Sequence, residues 1–366
     1  MERLGGFKQR IALAMAGKRS PWGKPSPGGG DGNGGDQDDA GGESPPSSED
    51  RPKGPRNPWL PGGGGEEPPR RSATSDHKEG VTLLSGTAQR PEQMPTRSTA
   101  ALATRGWLIP IGGRLESPGI VARFVELCGG SKANIVIVPL ASKFLDAGEY
   151  YGQMFAEHGA TKITTMTVKT RRGAFDEQAR DVVEHATGIF FTGGNQLKLS
   201  TVLVGTPLGE TLRKRHACGM HVAGTSAGAA ILSRHMIAFG EEGRMPRAAM
   251  VTTSAGLGFT DRYIIDQHFR ERDRLGRLLT AVAYNPGLFG LGVDEDTAAF
   301  IAPDDVIHVE GSGAVTLVDP TELDSSAILE AVPGMPIELP GVQVRVLKAG
   351  SLFEADAARA LAVQRS

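Results

Sequence analysis

The chain has 366 residues, enough for two domains, but its 50 glycines and 24 prolines are so unevenly spread that length alone misleads. A formal net charge of -2 gives no electrostatic reason to expect nucleic acid or an anionic membrane as the main partner, so a charged ligand must be recognised locally. Two cysteines, Cys128 and Cys218, without a C-x-x-C spacing exclude a disulfide framework and suit a reducing compartment, with free thiols the plain reading.

In chain order, residues 1–100 come first. Their text, for example "SPGGGDGNGGDQDDAGGESPPSSEDRPKG", is too poor in aliphatic side chains to offset the entropy of ordering a backbone. The expectation is a disordered, solvated tail in which both charge signs are interspersed, so neither a basic arm nor an acidic tail stands out. The start "MERLGGFKQRIALAMAGKRS" imitates an export signal only faintly, because its apolar run is very short, and a cytoplasmic location is expected. No uninterrupted apolar run reaches the length of a membrane span.

Residues 101–366 read as one catalytic domain. Short apolar runs alternate with amphipathic stretches, the pattern of a doubly wound, mostly parallel α/β sheet with helices on both faces. "WLIPIGG" reads as a strand ending on Gly112 and Gly113. "SPGIVARFVELCGG" reads as a helix capped by Ser117, with Pro118 at its first position and a glycine stop. Then come a strand "NIVIVPLAS", a helix "AGEYYGQMFAEHGA", a strand "KITTMTV", a helix "FDEQARDVVEHATG" and a strand "GIFFTGG". One or two helices in "NQLKLSTVLVGTPLGETLRKRHACG" precede the short strand "MHVAG" and a helix "AGAAIL". Further on, "YIIDQHF" reads as a strand, "ERDRLGRLLTAVAY" as a helix, and "LFGLGVDEDTAAFIA" and "GAVTLVDP" as late strands. Ligands of such sheets bind beyond the carboxyl ends of strands, where Gly113, Gly194 and Ser226 fall.

"GTSAG" fits the nucleophile elbow G-x-S-x-G at a strand-to-helix turn. The strained backbone there needs small neighbours, which Gly224 and Gly228 supply, and the turn aims the Ser226 hydroxyl outward. The amide of Ala227 is left at a helix N-terminus, where it can receive an oxyanion, and the earlier "TGG" loop offers a second amide. By itself the motif equally suits phosphate binding or plain turn geometry. A serine hydroxyl needs a base. Of the eight histidines, His77 lies in the tail, and His158, His185 and His216 read as solvated. His221 and His235 flank the elbow on elements pointing elsewhere, and His308 reads as an ordinary strand residue. His268, at the end of an apolar run among charges, stands where a base is required. An orienting carboxylate comes from Asp294, Glu295 or Asp296; strand alternation puts the first and third on one face and Glu295 on the other, and does not choose between them.

With "FTGGNQ", "GTSAGA", "DQHFRERDRLGRL" and "GLGVDEDTA" in this order, the chain resembles the cyanophycinases, serine exopeptidases related to aspartyl dipeptidases. The resemblance covers roughly residues 106–320. It implies Ser226 as nucleophile, His268 as general base and then acid, Glu295 as the carboxylate holding the imidazole, and an oxyanion hole at Gly194 and Ala227. It implies substrate contacts from Gln196, Asp266, Gln267, Arg272, Arg274 and Arg277. The implied substrate is cyanophycin, a poly-aspartate backbone with an arginine joined to each side-chain carboxyl. It would be cleaved through an acyl-enzyme to β-aspartyl-arginine dipeptides, without metal or cofactor, by a homodimer.

A physical reading supports part of that set. Leu275, Leu278, Leu279 and Val282 form one helical stripe, leaving Arg274 and Arg277 on the polar side to grip carboxylates, whereas Asp266 would suit the substrate's guanidinium groups. Arg272 would need an irregular helix start. Two other functions stay open at this point: an aspartyl dipeptidase on the same scaffold, and a non-catalytic module that holds an anion in its glycine turns.

Overall fold

The structure is a computed structural model and describes residues 105–324 and 326–355. The expected tail, residues 1–100, and the last residues of the chain lie outside the described residues.

Five strands form the parallel part of the main sheet: β1 (Leu108–Ile111), β2 (Asn134–Val138), β3 (Lys162–Thr165), β4 (Gly188–Phe191) and β5 (His221–Thr225), in the spatial order β1-β5-β4-β2-β3. Every residue of β1, β2 and β4 is buried, because helices cover both faces. The continuous apolar text therefore hides a period of two. Ile109, Ile111, Ile135, Ile137, Phe190 and Ala223 face α1 (Pro118–Leu127) and α2 (Ala147–Glu157). Leu108, Val136, Val138, Ile189, Phe191 and Val222 face the opposite way, towards α3 (Glu177–Glu184), α4 (Gln196–Leu203) and α5 (Pro207–Ala217).

Later strands build outward from this frame. A two-stranded antiparallel ribbon joins β6 (His235–Gly240) to β7 (Val251–Ala255), with a bulge near Ile237. A second sheet has the order β13-β12-β9-β8 and contains β8 (Tyr263–Gln267), β9 (Phe289–Val293), β12 (Ala314–Asp319) and β13 (Gln343–Lys348). Only β8 and β9 run parallel in it. The main sheet is extended beyond β1 by three antiparallel strands, β10 (Thr297–Ile301), β11 (Val306–Gly311) and β14 (Leu352–Glu354).

Several local expectations change. "LFGLGVDEDTAAFIA" divides into β9 and β10, which belong to different sheets, and the acidic triplet is the link between them. The helix after the elbow, α6 (Ala227–Ala230), is a single turn, and the one after His268, α7 (Leu275–Ala283), begins four residues later than the "ERDR" text suggests. Ser117 stands at the cap position of α1, but its hydroxyl donates to Asp296 instead of taking a helix amide. His216 is buried, not solvated, and its Nδ1 bonds the Met220 carbonyl across the turn from α5 to β5.

Phe190 anchors the face covered by α1 and α2, touching the rings of Phe124, Tyr151 and Phe155 at centroid distances of 6.1, 4.7 and 5.0 Å. Phe190→Ala is expected to cost about 3–5 kcal/mol, read as a lower denaturant midpoint with an unchanged slope. A loss under about 1 kcal/mol would show that this cluster does not hold the sheet.

Candidate active site

The site is assembled at the carboxyl end of β1. Three successive carbonyls there accept one amide each: Ile111 from Ser226 at 3.0 Å, Gly112 from His268 at 2.7 Å, and Gly113 from Asp296 at 2.7 Å. Ser226, His268 and Glu295 come from three distant stretches of chain, and one strand end fixes the backbone of the first two and of the residue next to the third. The glycine doublet is needed for this approach. A Cβ at Gly112 would come within 1.9 Å of the Asp294 carbonyl, and one at Gly113, whose φ is +118°, within 2.2 Å of the His268 ring.

Ser226 sits between β5 and α6 with φ 54° and ψ -117°, a conformation L residues rarely hold. A Cβ at Gly224 would meet the Gly228 carbonyl at 2.1 Å, and one at Gly228 would meet the Phe191 carbonyl at 2.2 Å, so both flanking positions must be glycine. The serine hydroxyl donates to His268 Nε2 at 2.8 Å, and His268 Nδ1 donates to Glu295 Oε1 at 2.7 Å. Glu295 also accepts from Arg114 at 3.3 Å on its other oxygen, and its backbone amide donates to the Glu271 carboxylate at 3.1 Å.

The electrostatics keep the His268 imidazole neutral, with its proton on the nitrogen that faces Glu295. Burial pushes the His268 imidazole below its usual range, Arg272 and Arg274 push the same way, and the bond to Glu295 opposes them only in part. Burial works to raise Glu295, but its hydrogen bond with His268 and the Arg114 guanidinium outweigh it and hold the carboxyl below its ordinary range. An ionised Glu295 accepts only, so Nδ1 carries the imidazole proton and Nε2 is left to receive the serine's.

The acidic triplet divides its labour. Asp294 accepts the Arg270 and Ala314 amides at 3.1 and 3.0 Å. Asp296 accepts the Glu116 and Ser117 amides at the start of α1 and the Ser117 hydroxyl. Glu295 alone turns to the histidine. Simple alternation fails here because Asp296 has φ 49°, which breaks the strand.

The amide of Ala227 opens α6, and Gly194, exposed at φ +140°, lies tight against the Ala141 carbonyl. Among the described residues, no hydrogen bond uses either amide. Asn195 caps α4 by accepting from Leu197, while Gln196 donates to the carbonyls of Ile237 and Ala238 on β6.

The arginine segment departs from expectation. Arg274 and Arg277 are buried, not on an open polar face, because the β6–β7 ribbon and the end of β8 cover that side of α7. Asp266 does not offer its carboxylate to a ligand: it is 1% exposed and both oxygens are bound by Arg277, with Arg274 3.6 Å away. Arg274 also donates to the Gln267 carbonyl at 2.6 Å, and burial lowers its pKa to about 9. Gln267 is buried with its Oε1 lacking a hydrogen-bond partner among the described residues, and Arg272 is half-buried on the irregular segment before α7. Arg114 and Glu271 were not singled out from sequence; the only available signal for Arg114 was its place just after the strand-end glycines.

Among the described residues there is no group of three or more His, Cys, Asp or Glu side chains arranged to hold a metal ion, and no helix long and apolar enough to cross a membrane. The chain matches peptidase family S51 over residues 112–309. It is 39% identical to a cyanophycinase of Trichormus variabilis and 38% identical to one of Nostoc sp., each over 69% of this chain and 86% of the relative. A cyanophycinase of Geminocystis herdmanii is 37% identical over 68% of this chain and 93% of its own length. The crystal structure of a peptidase from an acI-B1 Actinobacterium aligns with a TM-score of 0.47 at 20% identity, covering 68% of this chain and 97% of that one. The chain belongs to peptidase family S51 and is a serine peptidase.

Proposed function

We propose that this peptidase is an exopeptidase that hydrolyses cyanophycin to β-aspartyl-arginine dipeptides, with Ser226, His268 and Glu295 as its catalytic residues. The observation that carries the reading is the unbroken hydrogen-bond chain from the serine hydroxyl to the carboxylate, 2.8 and then 2.7 Å long. Its support in sequence is the likeness to cyanophycinases over two thirds of the chain.

In this mechanism Ser226 Oγ attacks a backbone carbonyl carbon while its proton passes to His268 Nε2. The negative charge on the carbonyl oxygen is received by the amides of Gly194 and Ala227, and the imidazolium is stabilised by Glu295. His268 gives its proton to the leaving amine, whose bond to carbon breaks and leaves an acyl-enzyme. Water then attacks the ester, its proton taken by His268 and returned to Ser226. Gln196, Gln267, Arg272, Arg274 and Arg277 form the wall that recognises the charged polymer, and Asp266 acts behind it by bracing Arg277. A neutral His268 is the working form, and its lowered pKa keeps it neutral further into acid than a free imidazole.

The same reading keeps residues 1–100 as a solvated tail and 101–366 as the catalytic domain. It places the enzyme in the cytoplasm as a homodimer, in keeping with two unbridged cysteines. Sedimentation at the mass of one chain would refute the dimer.

Incubation with purified cyanophycin is expected to release a product with the mass of β-aspartyl-arginine, and Ser226→Ala to lower kcat by on the order of 10⁶. No dipeptide from the wild type, or faster turnover of α-aspartyl dipeptides than of the polymer, would overturn the assignment. Glu295→Gln is expected to lower kcat by roughly 10³–10⁴. The acid limb of kcat/KM in the wild type should fall below the ordinary imidazole range, and a limb above that range would contradict the neutral base. Gly113→Ala, which drives a methyl into the His268 ring, is expected to abolish turnover while the protein stays folded by circular dichroism.

A further inference from the structure

Each unit of the proposed polymer carries two opposite charges, a free carboxylate and a guanidinium, on one arginine residue. The arginines around Asp266 suit the carboxylate. A guanidinium brought beside them without a carboxylate of its own would be repelled, so the wall must contain an acid that is not already engaged.

The acids near the site are almost all engaged. Asp266 is bound by Arg277 through both oxygens. Glu271 holds the Arg270 guanidinium and the Glu295 amide, and Glu295 holds His268 and Arg114. Asp294 is bound by two backbone amides. In the loop that closes the β6–β7 ribbon, Glu241 is paired with Arg247, and Asp273 on the facing segment is paired with Arg244. Glu242 is the exception: its side chain is exposed and forms no hydrogen bond or ion pair among the described residues.

Its position is also fixed. The neighbours of Glu242 are tied down on both sides, Glu241 by its amide to the Met250 carbonyl at 3.0 Å and Gly243 by its amide to the Asp273 carbonyl at 2.6 Å. Gly243 in turn accepts from the Gly276 amide at 2.9 Å, and the preceding Gly240 carbonyl lies 3.4 Å from Arg277 Nη1. A Cβ at Gly276 would come within 2.5 Å of the Met245 carbonyl, so the loop is packed closely on the first turn of α7. The backbone at Glu242 is thereby held beside the segment that leads into α7, close enough that its charge acts on both Arg272 and Arg274.

We infer that Glu242 is the residue that receives the guanidinium of the substrate unit whose carboxylate lies on Arg272 and Arg274, and that it sets the preference for a cationic side chain. The inference rests on the cyanophycin reading above. It assigns the ribbon loop, which no motif singled out, to the specificity wall, and makes recognition of a zwitterion a matter of one anion next to two cations.

The test uses the full chain and two synthetic trimers, one of β-aspartyl-arginine units and one with citrulline in place of arginine, which keeps the shape and removes the charge. Glu242→Gln is expected to raise KM for the arginine trimer by roughly tenfold with little change in kcat, because a charge-assisted bond at an open site is lost. The same substitution should leave KM for the citrulline trimer unchanged. Equal shifts for both trimers, or no shift for the arginine trimer, would overturn the role of Glu242. A wild type that cleaves neither trimer would instead defeat the cyanophycin reading itself, and the inference with it. An unchanged melting temperature is expected for Glu242→Gln, since the side chain is exposed and makes no hydrogen bond or ion pair among the described residues.

Discussion

Three consecutive carbonyls at the end of β1 organise the candidate site. Ile111, Gly112 and Gly113 take the amides of Ser226, His268 and Asp296, so the serine, the histidine and the segment bearing Glu295 are referred to one rigid point. Rigid placement matters because proton transfer along a serine-histidine-carboxylate chain tolerates little displacement, and β1 lies inside the main sheet between β5 and β10, paired on both sides. The chain just past that strand end has no room for a Cβ, and this explains a glycine doublet at which one would strike the Asp294 carbonyl or the His268 ring.

Four of the seven non-glycine residues with positive φ among the described residues gather at the same place. Arg114, Ser226, His268 and Asp296 have φ between 45° and 54°, each on or beside the hydrogen-bonded chain of Ser226, His268 and Glu295. Such conformations cost roughly 1–3 kcal/mol apiece and persist only where neighbouring structure over-determines them. Here the carbonyls of β1 pin three of the four, and the Arg114 guanidinium is held on Glu295. The strain aims each side chain out of the path its strand would otherwise give it. Without it, Ser226 would follow the alternation of β5, and the acidic triplet would continue as strand.

That geometry separates what the sequence could disclose from what it could not. Continuous apolar runs marked β1, β2 and β4, and the glycines around Ser226 marked a tight strand-to-helix turn, because each signal is local. The choice of Glu295 within its triplet was not local: it depends on Asp296 capping α1 and Asp294 fastening β12, contacts with elements 15 or more residues away. The burial of Arg274 and Arg277 was hidden for a similar reason. Helical periodicity identified their side of α7 as polar, but nothing in the helix itself announces that a two-stranded ribbon covers that side. His216 misled in the same way, a polar residue on a helix end whose ring is taken by a carbonyl across the turn.

The arginine wall and the base are also coupled by charge. Arg272 and Arg274 both lower the pKa of His268, while Asp266 and Glu242 partly offset the charge of those same arginines. Burial is the larger cause of that lowering, and the two guanidinium groups add to it. A carboxylate placed against those arginines would oppose their field at the ring, because its charge is opposite in sign, so the charge held by the arginine segment and the basicity of the imidazole are linked.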